Sequence, residues 1–331
     1  MRVWQAMSLT GAAALASLAV IAFSAPGPSR AQASLPGVWT KKHPLPTVRS
    51  EVYAAAANGK LYVIGGQNSE RNDLYVNDEY DPATDRWRER AGMPHGMNHS
   101  AMTSLDGKIY MAGGFAFPIH TGAHDLFFSY DPASDQWKNL APLSSPRASV
   151  GLVAAGGKIH AIGGRGLDKV TVATHEVYDP ATNKWTPAAP LPVARDHAGV
   201  IAIDGKIHVV GGRTREPADN TPFHDIYDPA TDTWTSAPPL PEPRSAGAIV
   251  YYRGLIIFAG GECKDGKPFA LNEAFDAKAG KWTELALLPG ARHGFGGAVI
   301  GDVAYFAGGW TGSATRCADA PTDELLAFTL N

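Results

Sequence analysis

Four of the eleven histidines lie between positions 95 and 124: His95, His99, His120 and His124. Converging imidazoles from His99, His120 and His124 would suit Zn²⁺ or Cu²⁺. A step of four residues gives a shared direction only on a helix, and His120 and His124 sit in a loop. Lining or solvated histidines are therefore favoured, and no metal is expected. Arg165 and Arg213 each follow a Gly-Gly pair, with Arg195 and His197 between them. In a chain of 29 basic and 32 acidic residues, such a basic sector suits a carboxylate on a ligand. Ion pairs to Asp168, Asp196 or Glu216 are the alternative. Glu51 and His99 are a candidate acid and base. Trp310 either stacks on a ligand or packs its loop. Cys263 and Cys317, the only two cysteines, are expected to pair as a disulfide and cannot build a four-thiolate site. No nucleophile motif, phosphate loop or cofactor fingerprint occurs, so no cofactor is expected. A formal charge of −3 argues against nucleic acid.

Something must position these residues, and the first thirty-odd positions do not. Arg2 precedes an apolar stretch from about Met7 to Phe23, then a Pro/Gly/Ser segment and Ala31-Gln32-Ala33. This pattern predicts a cleaved signal peptide over residues 1–33, with residues 34–331 as the mature protein, periplasmic or secreted and without a membrane span. A monomer is expected.

The mature part repeats. Gly-Gly pairs begin at Gly65, Gly113, Gly163, Gly211, Gly260 and Gly308, in steps of 48, 50, 48, 49 and 48. Trp39, Trp87, Trp137, Trp185, Trp234 and Trp282 keep the same steps, each 26 residues before a Gly-Gly pair. Tyr80, Tyr130, Tyr178, Tyr227 and Phe275 each stand seven residues before a Trp. Between these marks lie short apolar runs and Asp-Gly or Asp-Pro turns, which predict four antiparallel strands per unit. So small a sheet cannot bury its faces alone, and six of them stack around an axis.

These marks resemble the kelch repeat, over essentially the whole chain after the leader. The resemblance implies an all-β, six-bladed kelch-type β-propeller. The first Trp has no preceding Gly-Gly pair, and the last Gly-Gly pair is followed by no Trp of the repeat series. The N-terminal strand is therefore expected to complete the last blade.

Length varies only after the Gly-Gly pair, which places the variable loops on one face and the site at that mouth. Sixteen residues before the pairs stand Arg49, Met97, Arg147, Arg195, Arg244 and Arg292; fourteen before stand Glu51, His99, Ser149, His197, Ala246 and Gly294. In peptide-binding kelch propellers this turn supplies contacts, which supports Arg49, Arg147, Arg165, Arg195, His197, Arg213, Arg244, Arg292 and Trp310 as ligand residues. The repeated arginines have a second reading, as partners of Asp78, Glu176, Asp225 and Glu273 within the ring. The favoured function is a binding module for a small glycan or a peptide, with an anionic group as the hypothesis. The alternative resembles the kelch-type N-acetylneuraminate epimerases (mutarotases). Gly261-Glu262 followed by Lys264 and Lys267 is similar to their Gly-Glu and basic residue, with Lys in place of Arg, and would make Glu262 catalytic. Copper chemistry of the galactose-oxidase kind needs a Tyr-His pair, and none occurs.

Overall fold

The computed structural model describes residues 35–116, 122–262, 268–313 and 316–330. The leader, His120, Cys263, Lys264 and Lys267 lie outside them, as does the side chain of Cys317. The disulfide and the cleavage site therefore fall outside the described residues.

Six four-stranded antiparallel sheets form the blades. In blade 1 the strands run outward from the axis as Tyr53–Ala57, Lys60–Ile64, Asn77–Asp81 and Arg86–Glu89. The inner strands of blades 2 to 5 are Ala101–Leu105, Gly151–Ala155, Gly199–Ile203 and Ala248–Tyr252. Blade 6 joins Gly296–Ile300, Val303–Ala307 and Leu325–Thr329 to the N-terminal strand Val38–Lys41. The register Trp39↔Phe328 places Trp39 where every other blade has its outer tryptophan. The expected closure is found.

The repeated residues explain themselves locally. Each Trp indole N–H donates to a carbonyl in the connection entering its blade, as from Trp39 to Ala286 (2.8 Å) and from Trp185 to Ala141 (2.8 Å). The second glycine of each pair donates its N–H to the next blade, as from Gly114 to Arg147 O (3.1 Å) and from Gly309 to Arg49 O (3.0 Å). A Cβ on Gly113 would lie 2.0 Å from Arg147 O, and Gly113 has φ +61. Only glycine fits where two blades approach this closely.

Charge is buried inside the blades as well. Arg49 pairs with Asp78 and Arg195 with Asp225, both at 2.7 Å. Arg147 pairs with Glu176, Arg244 with Glu273 and Arg292 with Glu324. All five guanidinium groups are buried. Blade 2 replaces both members at once, with Met97 and Phe128 packed in one apolar cluster. Such an exchange avoids leaving a lone buried charge. Among the described residues no helix is long and apolar enough to cross a membrane.

Candidate functional site

Where the chain turns into each inner strand, one residue adopts a left-handed conformation. These are Glu51, His99, Ser149, His197, Ala246 and Gly294, with φ from 52 to 61. Backbone hydrogen bonds link them in sequence: His99 N to Glu51 O (3.3 Å), Ser149 N to His99 O (2.9 Å), His197 N to Ser149 O (3.2 Å), Ala246 N to His197 O (2.9 Å) and Gly294 N to Ala246 O (2.9 Å). Val52 N donates to Gly294 O (3.3 Å) and completes the circle. A left-handed side-chain-bearing residue costs about 1 kcal/mol, and closure of this ring offsets it.

Around it lie the residues that follow each Gly-Gly pair: Gln67, Phe115, Arg165, Arg213, Glu262 and Trp310. Five of them are bridged to the residue just before the left-handed one, as Asn98 to Phe115, Asp196 to Arg213 and His293 to Trp310, and Glu262 N donates to Ser245 O (2.7 Å). An axial cavity of about 300 Å³ runs between the inner strands, and Glu51, His99 and His197 stand at its ring end. Its walls are mostly apolar, with Tyr53, Tyr251 and Phe295 among them.

The two histidines are built alike and partnered differently. Asn98 Nδ2 donates to Asp73 Oδ1 (2.7 Å) and Phe115 O (3.1 Å), which turns its Oδ1 toward His99 Nδ1. His99 Nε2 lies 3.0 Å from Glu51 Oε2. Both ring nitrogens of His99 thus face side-chain acceptors. Burial pushes the Glu51 carboxyl up, but His99, with His293 and His197 beyond it, outweighs burial and holds Glu51 well below the usual carboxylate range.

His197 instead places Nδ1 2.5 Å from Asp196 Oδ1. Its Nε2 faces donors, with Ser149 Oγ at 3.1 Å and Arg213 Nη2 at 3.2 Å. Burial and then Arg213 push the His197 imidazole down despite Asp196, so this ring is neutral. Asp196 stays ionised because hydrogen bonds and charge from His197, Arg213 and Thr171 overcome its burial.

The sequence-predicted residues divide accordingly. Glu51, His99 and His197 come together at the cavity. Arg49, Arg147, Arg195, Arg244 and Arg292 are turned into their blades; the first four make the pairings of the second reading, and Arg292 pairs with Glu324, which that reading did not name. Arg165 pairs with Glu216 at 2.8 Å and donates to Arg215 O. Arg213 pairs with Asp196 at 3.1 Å and with Glu262. The basic sector is neutralised in place. Trp310 is buried, and the Arg71 guanidinium lies 5.7 Å from its ring centroid. His124 gives its backbone N–H to Gly114 O (2.9 Å). Among the described residues no cluster of ligand-type side chains would hold a metal. Sequence reasoning assigned no role to Ser149 and gave Asp196 only as an ion-pair alternative for the basic sector, although their places before the Gly-Gly pairs already put them in this ring.

Residues 36–190 match the family model described as the KLHDC2/KLHL20/DRC7 Kelch-repeats domain, and residues 194–241 match the Kelch motif. Kelch-like protein terF of Aspergillus terreus is 34% identical over 88 residues, covering 24% of this chain and 19% of that protein. Beta-scruin of Limulus polyphemus is 29% identical over 76 residues, 23% of this chain and 8% of that protein. The matched stretches thus span under a fifth of either relative. A solved structure titled "Structure of YjhT" superposes with a TM-score of 0.73 at 18% identity, over 86% of this chain and 96% of that one.

Proposed function

The chain carries kelch repeats closed into a six-bladed propeller, and from that premise we propose that it is an extracytoplasmic binding protein for a small glycan unit held in the axial cavity. The carrying observation is the cavity itself: about 300 Å³, apolar-walled, with Glu51 and His99 at one end. That volume is at the small end of ligand sites and suits a monosaccharide unit or one peptide side chain. Sugars present hydroxyl groups to charged acceptors and donors and apolar ring faces to aromatic walls. A preference for acidic ligands is not part of this reading, because the guanidinium groups of Arg165 and Arg213 are occupied by carboxylates. The extracytoplasmic placement rests on the leader pattern, and N-terminal sequencing of exported protein should begin at Ser34.

One observation favours a second reading, a sugar isomerase of the mutarotase type. Glu51 and His99 are a carboxylate and an imidazole 3.0 Å apart at the same cavity, and mutarotation needs one acceptor and one donor of protons.

A thermal-shift panel of neutral, amino and acidic monosaccharides, followed by calorimetry, tests the binding reading. A hit whose affinity falls at least tenfold in Glu51→Gln and His99→Ala supports it; no hit, or unchanged affinity in both variants, overturns it. Proton NMR of anomer exchange with the bound sugar separates the readings. Acceleration by the protein selects the isomerase, and an unchanged rate selects the binder.

A further inference from the structure

We propose that Ser149 is a nucleophile toward short-chain acyl esters, with His197 as its base and Asp196 as the group that orients that base. Ser149 Oγ lies 3.1 Å from His197 Nε2, and His197 Nδ1 lies 2.5 Å from Asp196 Oδ1. Asp196 is itself fixed: Thr171 Oγ1 donates to its Oδ2 at 2.6 Å and Arg213 Nε to its Oδ1 at 3.1 Å. An Nδ1–H directed at a carboxylate leaves the Nε2 lone pair as an acceptor, shared between the Ser149 hydroxyl and Arg213 Nη2, and this is the tautomer a general base requires. Burial and Arg213 keep the ring neutral, which is its basic form.

The chain of contacts spans two blades and none of its members adjoin a sequence motif for nucleophiles. It reaches the axial cavity through His197 and through Val150, the neighbour of Ser149. Arg213 Nη2, 3.2 Å from His197 Nε2, brings a guanidinium to the same end of the imidazole that Ser149 faces. The matching assembly in blades 1 and 2 shows what is specific here. Asn98, His99 and Glu51 repeat the geometry, but Glu51 stands where Ser149 would be, so a carboxylate and not a hydroxyl faces that imidazole. The cavity volume of about 300 Å³ limits the substrate to a short acyl group and an alcohol no larger than a single ring.

In the reaction, Ser149 Oγ forms a bond to the acyl carbon while its proton moves to His197 Nε2. The bond from that carbon to the alcohol oxygen then breaks, and the alcohol leaves with the proton from His197. Water adds to the acyl-serine with its proton passing to His197. The Oγ–acyl bond breaks, Ser149 regains a proton, and a carboxylic acid departs. The sum is ester plus water to acid plus alcohol.

The inference shares the cavity with the binding reading but stands on different side chains, so the two fail separately. The test incubates the mature protein with a fluorophosphonate probe and, in parallel, with p-nitrophenyl acetate. The expected result is a single phosphonyl adduct on the peptide containing Ser149, absent in Ser149→Ala. In His197→Gln both labelling and ester hydrolysis slow at least a hundredfold, and in Asp196→Asn they slow measurably, each variant being checked for an unchanged circular-dichroism spectrum. Should His197→Gln not fold, Asp196→Asn carries the test. No adduct, an adduct at another residue, or labelling indifferent to the folded variants overturns the proposal. Sugar binding retained by Ser149→Ala alongside lost labelling separates this activity from the binding reading.

Discussion

Gly294 shows how closely the ring is fitted to the side chain it carries. Its φ of +61 is shared with five residues that have side chains, so conformation alone does not demand glycine there. Glu51 does: a Cβ on Gly294 would lie 2.6 Å from Glu51 Oε2. Gly294→Ala should therefore push the carboxylate off His99 and weaken ligand binding about tenfold, roughly 1.4 kcal/mol. Gly280→Ala is the control, since Gly280 has φ +62 with nothing within 4 Å. Calorimetry should find its affinity unchanged, while both variants lose about 1 kcal/mol of stability from the left-handed backbone. At this scale the sequence was partly legible. Glu51 and His99 stand out as an acid and a base at equivalent positions of neighbouring repeats. The contact of Ser149 with His197 is not legible, because it joins residues 48 apart and depends on how far one blade is rotated against the next.

The blades make their own predictions. Arg49→Met alone leaves Asp78 buried without a partner and should cost about 3 kcal/mol. Combining it with Asp78→Phe copies the Met97 and Phe128 arrangement of blade 2 and should recover most of that loss in urea denaturation. Blades 3 and 4 each hold a buried histidine pair, His160 with His175 (3.0 Å) and His208 with His224 (2.8 Å). Burial lowers all four to about 4. The folded state thus favours neutral rings relative to the ordinary 6.5. This contribution to stability is complete above about pH 6.5 and is lost progressively as pH falls toward 4. Melting temperature should fall steeply across that window. His175→Asn with His224→Asn should flatten the slope, since Asn77 and Asn272 hold the same strand positions and donate likewise to Ala91 O and Ala286 O. The element pattern itself was legible from Gly-Gly, Tyr and Trp spacing, because each mark answers to one hydrogen bond or one close approach.

For the whole molecule, closure is the central mechanical fact. Trp39 pairs with Phe328 in register, packs against it with tilted rings at 4.7 Å between centroids and donates to Ala286 O. Trp39→Ala should cost about 3 kcal/mol, measured as a lowered urea midpoint. The unpaired first Trp and last Gly-Gly made this closure legible in advance. The location of the site was less so. Loop-length variation points to the outer mouth, whereas the cavity lies along the axis, because inner strands of small residues (Ala54, Gly151, Gly199, Gly247 and Gly296 among its lining) leave room between them. The arginines of the mouth, conspicuous in the sequence, are consumed in ion pairs that only the folded ring assembles. A crystal structure with the highest-affinity sugar from the calorimetric panel tests the account most directly. It should place the sugar in the axial cavity, with ring hydroxyls within hydrogen-bond reach of Glu51 and His99. Sugar bound on the outer loops above Arg165 and Trp310, with the cavity empty, would contradict it.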